Sequence, residues 1–230
     1  KLMQIPKHIG IILDGNRRWA RNKDLPTFEG HRQGFENLKK ITLCAFDKGI
    51  EILTVYAFST ENWSRDKKEV AYLMDLFRLL INKEINTLAK QGVKVNFFGR
   101  REDFADDIQK SMIKALEKTK DGKKGTLNIC LSYGGRDELV RAYKKIFKAG
   151  ITADQITEDV ISQNIDSAGI PDPDMIIRTS GEQRLSGFLT WQSVYSEFYF
   201  PQVDWPDFGP ADLDKAIEEY NKRQRRFGAN

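Results

Sequence analysis

The chain has 230 residues, 40% hydrophobic and 30% charged, and its 37 basic and 33 acidic residues leave a net charge of +4. That is enough chain for one large domain or two small ones with a substantial core, and its composition excludes a disordered, collagen-like or coiled-coil protein. The longest apolar runs, such as Ile11-Ile12-Leu13 and Leu79-Leu80-Ile81, fall far short of the ~20 residues of a membrane-spanning helix, and +4 is too small to argue for nucleic acid.

In chain order, His8 to Leu13 reads as a short buried strand ending in the turn chemistry of Asp14-Gly15-Asn16. A helical pattern from about Gly30 to Lys48 stops at Gly49, and Glu51 to Phe58 reads as a second strand. The polar loop Ser59 to Arg65, with Ser64 as a candidate cap, leads into a long helix from about Lys67 to Lys90. Val70 to Ile81 is apolar at ten of twelve positions. That is too apolar for one stripe, so the helix is expected to be greasy nearly all round, either buried or lining an apolar cavity. Val93 to Phe98, Thr126 to Ser132 and Met175 to Ile177 read as three more strands, with helices over Asp103–Lys118, Arg136–Lys148 and Ala211–Arg226. Thr152-x-x-Gln155 resembles a capping box. Strands alternating with helices predict an α/β fold, one domain over residues 1–230, with a mainly parallel sheet covered by helices. Cys44 and Cys130 lie in apolar company and are expected as buried reduced thiols, which fits a cytoplasmic protein.

Folds of this class bind ligands where strand ends turn into helices. The first such end carries Asp14-Gly15-Asn16-Arg17-Arg18-Trp19: a carboxylate, a glycine that lets backbone approach a ligand, and two arginines suited to phosphate. Gly10-x-x-x-x-Gly15 has Walker A spacing, but Asn16-Arg17 follows instead of Lys-Ser or Lys-Thr. A second end carries Ser59-Thr60-Glu61-Asn62-Trp63-Ser64-Arg65, and a third Arg178-Thr179-Ser180-Gly181-Glu182-Gln183-Arg184-Leu185-Ser186-Gly187. Glu197, flanked by aromatics, is an acid that must be paired or coordinated if buried. Together these suggest two diphosphate-sized anion sites, with Asp14 and Glu197 available to a hard cation such as Mg2+. His31 reads as a phosphate hydrogen-bond donor and His8 as structural. No zinc spacing is present in the sequence.

The run Ile12 to Ala20, Gly30-His31-x-x-Gly34, Tyr56 to Arg65, Ser132-Tyr133-Gly134-Gly135-Arg136, Ile177 to Ser186, Tyr195-Ser196-Glu197, Trp205-Pro206-Asp207-Phe208 and Arg225-Arg226-Phe227-Gly228 closely resembles the cis-prenyltransferases, typified by undecaprenyl diphosphate synthases. The blocks stand in family order over almost the whole chain. The resemblance implies a Mg-dependent prenyltransferase that condenses isopentenyl diphosphate onto an allylic diphosphate such as farnesyl diphosphate, forming cis double bonds. The product would be a polyprenyl carrier lipid for cell-wall or glycan synthesis.

It also implies roles. Asp14 would handle magnesium and assist departure of the allylic diphosphate, which Gly15, Asn16, Arg17, Arg18 and His31 would hold. Arg178, Arg184 and Ser186 would grip isopentenyl diphosphate, with Leu185 beside them and Glu197 as a second magnesium contact. Asn62 would help remove the proton, although an amide is a poor base and a diphosphate oxygen is the alternative acceptor. Trp19, Ser59, Thr60, Glu61, Trp63 and Arg65 would line the site, and the helix over Val70–Ile81 would wall a tunnel for the growing chain. Thr27 stands where many relatives carry arginine, and Gly187 where asparagine is common. A homodimer in which Arg226 and Gly228 reach the partner's site is implied too, with transient contact at a membrane surface for product release. The competing readings are a non-catalytic subunit of a two-chain enzyme, against which Asp14 and Asn62 both speak, and a nucleotide-dependent phosphotransferase, against which Asn16-Arg17 speaks.

Overall fold

The computed structural model describes residues 4–223; the positions expected at a partner's site, Arg226 and Gly228, lie outside the described residues. Six strands form one parallel sheet in the order β3-β4-β2-β1-β5-β6. In chain order the elements are β1 (His8–Ile12), α1 (Asn16–Asn22), α2 (Thr27–Asp47), β2 (Ile52–Ser59) and α3 (Lys67–Leu79). After a π-turn over Leu80–Glu84 come α4 (Ile85–Lys90), β3 (Val93–Phe98), α5 (Asp106–Thr119), β4 (Gly125–Tyr133) and α6 (Gly135–Lys148). The chain then adds α7 (Glu158–Ser162), β5 (Met175–Arg178), β6 (Glu197–Tyr199) and α8 (Pro210–Lys222). All five residues of β1 and all four of β5 are buried, because a parallel sheet is covered on both faces. Their continuous apolar runs follow from that.

The chain steps from β1 to β2 on one side and later lays β5 on the other, so a crevice opens at the carboxyl ends of β1, β2 and β5. Several details of the structure differ from expectation. The strand at Met175 runs on to Arg178, which places that arginine inside the sheet, 5% exposed. Edge strand β6 is too short and too aromatic in its surroundings to stand out in the sequence. Helix α3 is capped by Asp66, whose carboxylate accepts from the Lys68 and Glu69 N–H groups, while the Ser64 hydroxyl donates to the Glu61 carbonyl. Nor is α3 greasy all round: Leu73, Leu76 and Phe77 are buried, but Ala71 and Leu79 are exposed. Both cysteines are free; Cys130 is buried, and Cys44 only partly so.

His8 is structural, as its context suggests. Asn96 donates to Asn128, Asn128 to Thr54, Thr54 to His8 Nε2, and His8 Nδ1 to the Pro171 carbonyl, a chain of hydrogen bonds across the sheet. The carbonyl fixes the tautomer, since it can only accept. Burial pushes the His8 pKa down to about 4, against the opposing pull of Pro171 and Asp174. A histidine held neutral in the fold stabilises above the unfolded value of ~6.5 and loses that contribution as pH falls toward about 4. Urea titrations at pH 7 and pH 4.5 are expected to differ less for His8→Gln than for the wild type, by ~2 kcal/mol. Equal differences in the two proteins would refute this.

Candidate functional site

Asp14 stands two residues past the end of β1. Its N–H donates to the Thr179 hydroxyl at 3.0 Å, and that hydroxyl donates to the Asp14 carbonyl at 2.6 Å, so the ends of β1 and β5 are locked together. From β5, Arg178 places Nε (3.1 Å) and Nη2 (2.8 Å) on Asp14 Oδ2, and Nη1 on the Ser186 hydroxyl (2.8 Å) and the Arg184 carbonyl. A guanidinium this buried is tolerated because every face of it is hydrogen bonded to a carboxylate, hydroxyl or carbonyl. Among the described residues, Asp14 Oδ1 accepts only the Gly15 N–H, at 2.8 Å. Gly15 adopts φ +102°, and a Cβ there would meet Asp204 Oδ1 at 2.3 Å, so both conformation and space demand glycine.

Two cavities meet at this point. One, of about 540 Å³, runs from Asp14, Asn16, Ser59, Glu61, Asn62, Arg178 and Ser186 down to Phe35, Leu38, Phe58, Leu73, Leu76, Phe77 and Leu80. Its mouth is polar and its floor is apolar. The other, of about 690 Å³, is walled by Gly15, Asn16, Arg17, Arg18, Arg21, Asp24, Thr27, His31 and Arg65. Asp14, Asn16, His31 and Arg65 line both and form the shared wall. The helix expected to line a greasy cavity does so with Leu73, Leu76 and Phe77.

Arg18 donates to Glu182 at 2.9 Å and to Ser180, and Arg184 pairs with the same Glu182, so one carboxylate joins the arginines of the two expected anion sites. These arginines hold the Glu182 carboxyl below the usual carboxylate range. The loop after β2 turns as a short 3-10 helix, Thr60–Ser64, in which Asn62 Oδ1 accepts the Ser59 N–H at 3.1 Å. The free end of Asn62 is therefore its NH2, a donor, and not a base. His31 Nε2 lies 3.0 Å from Glu69, which also accepts from Arg65 at 3.2 Å. Burial lowers the His31 pKa despite Glu69. One ring nitrogen is thus committed to a carboxylate, and only the protonated ring offers an N–H to a phosphate.

Several expected site residues lie elsewhere. Trp63 packs behind its loop, edge-on to Phe58 with centroids 5.0 Å apart, and Thr60 packs against Gly134; neither lines either of these two cavities. Trp19 lies beneath Lys23, whose Nζ is 4.3 Å from the ring centroid, and Leu185 packs with the apolar cluster around Tyr56 and Phe188. Arg184 is exposed at the rim. Glu197 requires correction: it is level with Met175 at the start of β5, whereas Asp14 follows the end of β1, and it pairs with Arg223 at 2.9 Å. Within one chain the two carboxylates sit at opposite ends of the strands and cannot share an ion. The sequence reading missed Arg21 and Asp24. The i, i+4 spacing of Arg17 and Arg21 on α1 was the available signal.

Among the described residues no group of three His, Cys, Asp or Glu side chains could hold a metal. The donor set, one carboxylate with a lightly used oxygen beside arginines, does fit a magnesium ion that arrives with phosphate oxygens as its other ligands.

An apolar cavity whose mouth carries arginines and the carboxylates Asp14 and Glu61, set at the switch point of a parallel sheet, defines a class: enzymes that handle a greasy chain with an anionic head. The comparisons give that class its family. Residues 12–228 match the family described as "Putative undecaprenyl diphosphate synthase". An isoprenyl transferase of Clostridium perfringens is 48% identical over 98% of this chain and 90% of its own length. The ditrans,polycis-undecaprenyl-diphosphate synthase of Micrococcus luteus is also 48% identical, over 98% of this chain and 92% of its own. The crystal structure of lavandulyl diphosphate synthase from Lavandula x intermedia, in complex with dimethylallyl diphosphate, superimposes with a TM-score of 0.93 at 35% identity, covering 97% of this chain and 98% of that one. The chain belongs to the undecaprenyl diphosphate synthase family of prenyltransferases.

Proposed function

We propose that this prenyltransferase condenses isopentenyl diphosphate with an allylic diphosphate and builds a cis-polyprenyl chain. The observation that carries this reading is the junction of the two cavities at Asp14: an apolar cleft for a hydrocarbon chain opens beside a polar cleft rich in arginine. In the condensation, the allylic carbon–oxygen bond breaks and releases that diphosphate, while the alkene electron pair of isopentenyl diphosphate bonds its terminal carbon to the allylic carbon. The positive charge left on the internal alkene carbon is then quenched by loss of a proton from the adjacent carbon on the diphosphate side, which forms the new double bond; the isopentenyl diphosphate group stays on the product. Arg17, Arg18 and Arg21, which line the polar cavity, would hold the departing diphosphate, with Gly15 allowing close backbone approach. Asp14, with diphosphate oxygens, would hold Mg2+, which supplies charge neutralisation to the leaving group. Arg178 and Ser186 would hold the second head group. Asn62, presenting NH2, would orient a diphosphate oxygen, which is the better proton acceptor. The allylic chain would lie along Leu73, Leu76 and Phe77.

The reading includes a single catalytic domain and a homodimer. For the latter, Val140, Tyr143 and Phe147 make an exposed apolar stripe at i, i+3 and i+7 on α6, 52%, 60% and 72% exposed. Among the described residues no helix is long and apolar enough to cross a membrane. Delivery of a lipid product would use transient contact with a membrane surface. Incubation with Mg2+, labelled isopentenyl diphosphate and farnesyl diphosphate is expected to give elongated cis products from a species of twice the chain mass. No elongation with allylic primers of any length would sink the reading.

A further inference from the structure

Where β2 hands over to the Ser59–Arg65 loop, its pairing with β4 is irregular. Tyr56 is opposite Cys130, Phe58 opposite Leu131 and Ser59 opposite Tyr133, so Ala57 on one strand and Ser132 on the other are left over. Ser132 is fully buried and adopts φ +47°, an unusual conformation for a residue with a side chain. Bulges of this kind re-aim a side chain near a site. Here the re-aimed group is the Ser132 hydroxyl. It receives the Trp63 indole N–H at 2.9 Å and donates to Asp103 Oδ2. The direction is forced, since indole can only donate and a carboxylate can only accept. The turn that carries Asp103, Arg101–Asp103, is itself tied to the bulge, because the Arg100 N–H donates to the Ser132 carbonyl at 3.1 Å. Phe104, the next residue, packs against the Trp63 ring at 5.4 Å.

We propose that Asp103, acting through Ser132, is a positioning residue: it anchors Trp63 and thereby sets the loop that presents Glu61, Asn62 and Arg65 to the cavity. Trp63 faces away from that cavity, so its part is to hold the loop from behind. Glu61, Asn62 and Arg65 line the cavity mouth while the residue between them is fixed to β4 and to the turn after β3. The inference rests on the condensation reading for its activity arm only.

The test compares 15N-labelled wild type with D103A, D103N, S132A and W63F. The Trp63 indole signal, identified by its absence in W63F, and the Asn62 side-chain amide signals are expected to move in D103A and S132A. They should stay near their wild-type positions in D103N, whose amide oxygen can still accept from Ser132. Turnover in D103A should fall ~10-fold, on the order of 1.4 kcal/mol in barrier, at a near-normal unfolding midpoint. In a W63F background the same substitution should cost less than about twofold, since the pair acts as a unit. Unmoved Trp63 and Asn62 signals in D103A and S132A would overturn the proposal, as would equal losses from D103A in both backgrounds. If the wild type itself makes no product, the condensation reading fails, and the resonance shifts alone decide the anchor.

Discussion

Asp14→Ala is expected to lower turnover at least ~10³-fold, about 4 kcal/mol in barrier, while the protein stays folded. Asp14 is the one carboxylate at the junction of both cavities, and it holds Arg178 by two hydrogen bonds. Its removal takes away the proposed magnesium contact and the two hydrogen bonds that Arg178 makes to it. The fold should tolerate the loss. The Asp14 side chain is 32% exposed, water can reach the vacated space, and Arg178 keeps Ser186 and the Arg184 carbonyl. Asp14→Asn separates the two roles, because it preserves volume and an acceptor for Arg178 but removes the charge that would meet a cation. Turnover and thermal midpoint are measured for both variants. Activity of Asp14→Ala within tenfold of wild type would remove this residue from the centre of the mechanism.

Gly30→Ala should be a severely damaging single methyl within the helices. A Cβ at Gly30 would stand 2.0 Å from the Asn16 carbonyl oxygen, 2.8 Å from its carbon and 3.2 Å from Ala20 Cβ. The obstacle is backbone at the start of α1, so no side-chain rotation relieves it, and α1 must lift from α2. Overpacking of this kind costs about 3 kcal/mol, against a helix-propensity gain of ~1. Because α1 carries Arg17, Arg18 and Arg21, the KM for the allylic diphosphate should rise about tenfold or more. Gly49→Ala is the contrast: nothing lies within 4 Å of its Cβ, and only its φ of +90° is offended, at about 1–2 kcal/mol. Denaturant midpoints rank the two, and a milder loss at Gly30 than at Gly49 would show that the helices part without strain.

Most of the architecture was readable because its causes are local. The apolar runs Ile9–Leu13 and Met175–Ile177, Gly49 and Gly92 after helices, and glycine-bearing turns at strand ends are short-range signals of a covered parallel sheet. Strand β6 was missed, since three half-buried residues have no periodicity of their own and pair only because Met175 lies beside them. The motif residues after β1, β2 and β5 were identified by type and order. Which of them touch is another matter. Trp63 looked like a wall residue and is an anchor, Asn62 looked like a proton acceptor and has its oxygen engaged, and Glu197 looked like a partner for Asp14 and belongs to the other end of the sheet.

By itself, then, the sequence determined the α/β class, the family and the chemical inventory: one carboxylate after β1, arginines after β1 and β5, and an apolar helix after β2. Residue type and local spacing encode these directly. Only the tertiary structure decided the register that joins Asp14 to Arg178, the bulge that turns Ser132 toward Trp63, and the bridge from Arg18 through Glu182 to Arg184. Each is a contact between strands or loops as many as 164 positions apart. Such contacts are set by how the sheet orders its strands, and no local pattern in the chain records that order.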